Sequence, residues 1–157
     1  MDPVESSLAA GAVATVAFAA ALFAAGELLG GGGLFVFATL SALCELGGPQ
    51  YCAPDSATSV ALTLAAFALL FAVAWPLFFA AVTWGLPGQS GIAHGVAFAV
   101  VLWTGYAVTA AYGIGFGGET LAGDAPLLAA TFVAYVVYGV VLGGGYDFLA
   151  HHRTLDV

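Results

Sequence analysis

The chain has no lysine, a single arginine (Arg153) near its C-terminus, and charged residues at only 6% of 157 positions. Each scarcity removes a class of protein. Phosphate binding needs clustered Lys and Arg, so nucleic acid is not an expected partner. A basic patch for anionic headgroups is missing for the same reason. Soluble domains are about 25% charged and roughly 45–50% apolar, so a water-soluble globule does not fit. Two cysteines are too few for a disulfide-dense scaffold. There is no phosphate-cradling glycine loop, no HExxH and no ordered Ser, His and Asp that suggest a triad. A protein that is not an enzyme and holds no cofactor is the expectation.

What is present is apolar. Hydrophobic residues make up 62% of the chain and leave a net charge of −8. That much apolar surface needs lipid as its solvent. The acidic balance without lysine resembles the proteins of extremely halophilic archaea.

Four runs are long enough to cross a bilayer: residues 8–29, 57–84, 92–112 and 127–149. The first covers 22 residues, which at ~1.5 Å each span a hydrocarbon layer of about 30 Å. Residues 1–7 carry Asp2 and Glu5 and no basic residue, so this run reads as a retained span and not as a signal peptide. Residues 34–46 are apolar but too short to cross, and predict a short interfacial helix. Pro76 lies inside the second run and predicts a kink whose freed carbonyl is satisfied by a neighbour. The expected fold is all-α: a single domain, residues 1–157, with a bundle of four transmembrane helices and the extra interfacial helix. Four crossings put both termini on one side, and Arg153 places that side in the cytoplasm of a cell-membrane protein.

The polar and small residues carry the remaining signals. Gly91 and Gly95, and Gly139 and Gly143, are spaced to let helices approach closely. They serve packing within the chain or, alternatively, docking of a partner subunit. Cys44 and Cys52 lie in the first loop, where an oxidising face permits a structural disulfide; two free thiols are the other reading. The stretch ALCELGGPQYC is similar to the loop cysteine pair of the vitamin K epoxide reductase family. That family also uses a CxxC pair, which this chain lacks, so a thiol oxidoreductase is not favoured. His94, His151 and His152 fall at predicted cytoplasmic helix ends. They are weak candidates for haem or metal ligands; a polar anchor at the interface is the plainer role. Glu27 sits near the outer end of the first span. It, Tyr135 and Tyr138 are candidates for a polar path, with a solvated interface position as the plain reading of Glu27. Thr131, Tyr135, Tyr138 and Leu142 share one helix face, and buried tyrosines need partners. That face should therefore meet protein.

Segments GAVATVAFAAALFAAGE (11–27), FAVAWPLFFAAV (71–82), GVAFAVVLW (95–103) and YGVVLGGGYDFL (138–149) resemble a family of small four-helix membrane proteins of halophilic archaea. AWPL and YGxxLG are the more specific parts. The resemblance implies association with energy-transducing membranes, through haem-copper terminal oxidases. A non-catalytic accessory subunit of such a respiratory complex is therefore the leading expectation. A small oligomeric carrier or channel is the alternative, with a bis-His haem protein behind it. The expected partners are the lipid bilayer and other membrane subunits.

Overall fold

The structure, a computed structural model, describes residues 2–29, 56–111 and 125–151. Among them every long element is helical. Helix α1 is Pro3–Leu29; the second span runs as α2 (Ala57–Ala68), a π-helical segment (Leu69–Ala74), α3 (Trp75–Val82) and a 3-10 turn (Thr83–Gly85); α4 is Gly91–Ala111 and α5 is Ala125–His151. Four helices are long and apolar enough to cross a membrane, with mean hydropathies of 2.1, 2.3, 1.5 and 2.1 in chain order. The interfacial helix expected over residues 34–46 lies outside the described residues.

Helix α1 starts five residues before the apolar run, at Pro3. Asp2 caps it: Val4 N donates to Asp2 Oδ1 at 3.3 Å, and Ser6 N to Asp2 O at 3.0 Å. Proline at the first helical position and Glu5 in the first turn complete the start. Ser56 does the same for α2, accepting from Ser59 N at 3.2 Å.

Neighbouring spans run antiparallel. An added Cβ at Gly145 would meet Ala10, and Phe18 lies against Tyr135 and Tyr138, so α1 and α5 run in opposite senses. Gly91 faces Gly143, and Gly95 faces Gly139, so α4 and α5 do likewise. Helix α5 is the centre of the bundle, packed along its length on both α1 and α4. The second span closes against α1, and Phe79 of α3 reaches both Phe98 of α4 and Tyr146 of α5. Thr131, Tyr135, Tyr138 and Leu142 of α5 are all buried, as their shared face predicts.

The kink in the second span is a π segment. Trp75 N donates back five residues to Leu70 O. In that register Phe71 O would take the N–H of residue 76, which is proline and has none. Tyr138 supplies the missing donor: its hydroxyl, fully buried, donates to Phe71 O at 2.8 Å. In hydrocarbon an unpaired carbonyl costs several kcal/mol, so this bond across 67 residues of sequence is what lets proline sit at mid-span. Gly11 makes room for the bend, since an added Cβ there would strike the Pro76 ring and crowd Ala72 O.

Candidate functional site

The four seam glycines act within the chain. Cβ atoms added at Gly95 and Gly139 would each strike the other's carbonyl oxygen, and the same reciprocity joins Gly91 to Gly143. Two backbones this close gain dispersion and Cα–H···O contacts that no larger residue permits. Further along, the same pair of helices is tied by Trp103, whose Nε1 donates to Leu128 O at 3.2 Å and to Thr131 Oγ1 at 3.3 Å.

At mid-span the axis is filled with rings. Phe18 stands 4.7 Å from Phe71, 5.0 Å from Tyr135, 5.4 Å from Tyr138 and 5.7 Å from Phe67, centroid to centroid. Phe71 meets Tyr138 edge-on at 5.5 Å, a favourable arrangement of ring quadrupoles. The structure brings Tyr135 and Tyr138 together here but leaves Glu27 apart. Glu27 is exposed in the last turn of α1, nine residues beyond Phe18, which is roughly 13 Å along the axis.

A concave, partly polar feature lies at the end of the bundle that holds the 86–90 turn. A cleft of about 410 Å³ opens between the end of the second span, the first turn of α4 and the last turns of α5. Ser90 caps α4, its Oγ accepting from Ala93 N at 3.2 Å. Gly88 carries a φ of 134°, a conformation that glycine adopts without strain. The turn folds back so that His94 Nε2 lies 3.2 Å from Gly88 O. A carbonyl can only accept, so Nε2 is the donor in this contact. His94 thus holds the turn onto its own helix. Asp147 of α5 also lines the cleft, packed against Gly91 where a side chain would collide with it. A carboxylate beside a helix N-terminus is favourably placed.

Replacing His94 with alanine should free the turn. Losing a bond worth about 1 kcal/mol corresponds to roughly fivefold faster amide exchange over residues 86–94, readable by hydrogen–deuterium exchange. Unchanged exchange would mean that the turn holds without it.

The His151 side chain, His152, Cys44 and Cys52 lie outside the described residues. Thr83 carries no signal in the sequence, and Trp84 reads there only as an aromatic at the membrane–water interface. Their shared position with His94 and Asp147 comes from folding three separate segments together.

An up-and-down bundle of four long apolar helices defines a helical polytopic membrane protein. The chain matches, over residues 1–157, the family model described as a family of unknown function (DUF6789), and it belongs to that family. No curated protein and no solved structure matches it.

Proposed function

We propose that this protein is a non-catalytic accessory subunit of a respiratory membrane complex, a haem-copper terminal oxidase of a halophilic archaeon. The observation that carries the reading is how the interior hydrogen-bonding groups are used. The Tyr138 hydroxyl is taken up by Phe71 O, Thr15 by Gly11 O, and Trp103 and Thr131 by Leu128 O. The Tyr138 and Trp103 bonds join different helices, those of Thr15 and Thr131 close within their own, and five rings fill the space between the helices; of the buried hydroxyls, those of Ser6 and Thr63 make no hydrogen bond. That is the construction of a scaffold. A carrier built from one copy would need a route past the Phe18 cluster. The oxidase as partner follows from the sequence resemblance and from the lipid-facing apolar surface that all four spans present.

In this reading the protein crosses the cell membrane four times with both ends in the cytoplasm, where the positive-inside rule puts Arg153. Its partners are lipid and neighbouring membrane subunits, and nucleic acid is not among them. The test is co-purification of the tagged protein from native membranes in mild detergent at high salt, followed by mass spectrometry. Oxidase subunits in stoichiometric amount are expected. Recovery of the chain alone, or only as a homo-oligomer, would overturn the reading.

A further inference from the structure

The second span has two faces suited to packing, and one of them is in use. The inward face of its first half is Ser59, Thr63, Phe67 and Phe71, four residues apart and all buried. Pro76 of α3 is the next buried residue, at a spacing of five. The π segment takes up the extra residue, with Trp75 N reaching back to Leu70 O. A continuous α-helix counted back from Pro76 would instead turn Ala72, Ala68, Ala65 and Ala61 inward, at three- and four-residue spacings. All four are alanine. In the structure Ala61, Ala65 and Ala68 are exposed and Ala72 is half-buried.

The hydrogen bonds allow both registers. In the π register Phe71 O has no backbone donor, because Pro76 has no N–H, and it takes the Tyr138 hydroxyl at 2.8 Å. In the α register Phe71 O would accept from Trp75 N, four residues on, and Tyr138 would be released. Passing from one to the other moves the first half by one residue against α3, a turn of about 100° and a shift of about 1.5 Å. The second half need not move, since the Pro76 ring sits against Gly11 and Phe79 packs on both Phe98 and Tyr146. The first half is less constrained: among the described residues, α1 packs on the π segment and on α3 and hardly on α2. Thr63 adds a cost to the π register, because its hydroxyl is fully buried and has no hydrogen-bond partner. The turn takes Thr63 out of the interior and lets it donate to the carbonyl four residues back. We propose that the second span is a register switch. It is π-helical with Tyr138 on Phe71 O and its rings inward, or α-helical with Trp75 N on Phe71 O and its alanine face inward. The π register is the resting one, stabilised by Tyr138 and by the packed rings of Phe67 and Phe71. The switch changes the surface that the span shows to the bilayer, alanine in one register and two phenylalanine rings in the other. It concerns this chain alone and does not depend on the subunit reading.

The test is a distance measurement by double electron–electron resonance on the full chain in nonionic detergent. Nitroxides carried on ketone-bearing residues leave Cys44 and Cys52 native. One pair of labels joins Leu62 to Val133 and reports on the first half of the span. The other joins Leu77 to Val133 and reports on the second half. All three positions are exposed. The unaltered chain should give chiefly the π-register distance for the first pair. Tyr138→Phe removes a donor that Phe71 O needs in the π register alone. It should add a second distance for the 62–133 pair, raising the ratio of α to π register by at least about fivefold, the scale of one hydrogen bond. The 77–133 distance should stay unchanged. Phe67→Ala empties the interior in the π register alone, and should act in the same direction with Tyr138 intact. Ala65→Leu puts a bulky side chain on the face that is buried in the α register alone. Added to Tyr138→Phe, it should restore the single distance. An unchanged 62–133 distance in either variant, folded by circular dichroism, overturns the proposal, so the failure of one to fold does not shield it. A 77–133 distance that changes in step also overturns it, as does a second distance that Ala65→Leu leaves in place.

Discussion

Leucine in place of Gly139 should separate α4 from α5. An added Cβ at this position strikes Gly95 O and comes within 2.6 Å of the Ala99 side chain. The first obstacle is backbone, which cannot rotate away, so the helices must part along the whole seam. Overpacking a core commonly costs about 1–3 kcal/mol. Here the loss should exceed about 3 kcal/mol, because Gly91, Gly95 and Gly143 lose their contacts with it. Denaturation in mixed micelles, followed by circular dichroism as dodecyl sulfate is raised, reads the change as an earlier midpoint. Gly105 supplies the control. It lies on α4 with open space where its Cβ would be, and Gly105→Leu should stay within about 0.5 kcal/mol of the unaltered protein. Equal midpoints for the two variants would show that the seam does not hold the bundle.

The second large effect is conditional. Tyr138→Phe should cost about 1–3 kcal/mol, because it leaves Phe71 O buried without a donor. Pro76→Ala returns an N–H to residue 76, which in the π register points at that same carbonyl. In the alanine background, therefore, removing the Tyr138 hydroxyl should cost much less. The coupling between the two substitutions should fall within about 0.5–3 kcal/mol, with the double variant more stable than the two single losses added together. Additive costs would mean that the hydroxyl and the proline are unrelated, and that Tyr138 contributes only its ring.

The spans were legible because lipid demands continuous apolar sequence, and four such runs are plain. The true ends were less so, since hydropathy marks what lies in hydrocarbon and not where the helix starts. Asp2, Pro3 and Glu5 do mark the start of α1, by capping chemistry outside the apolar run. The glycine spacing announced close packing, but periodicity alone could not say whether the partner helix was internal. Tyr138 was legible as a buried hydroxyl in need of an acceptor. The acceptor was not, because it is a backbone atom exposed by a change of helical register. The one trace of that change is in the spacing of buried residues in the second span: Thr63, Phe67 and Phe71 are four apart, and Pro76 follows at five. Gly11 gave no signal, being a small residue in an alanine-rich helix. The cleft is a purely tertiary feature, since Thr83, His94 and Asp147 belong to three segments. The cysteine pair and the short interfacial helix lie outside the described residues.

The central place of α5 has a consequence for biogenesis. A ribosome makes this helix after the other three spans, yet α1 and α4 both pack on it. At about 5–20 residues per second, the 27 residues of α5 take roughly 1–5 s to translate. During that interval the first three spans have entered the bilayer without their common neighbour. Membrane helices can wait in this way, because each satisfies its own backbone and lipid covers its sides. The least apolar of them is the third, with a mean hydropathy of 1.5, and its glycine face has no mate until α5 arrives. Insertion and assembly are therefore separate events in this protein, and the second waits for the fourth span.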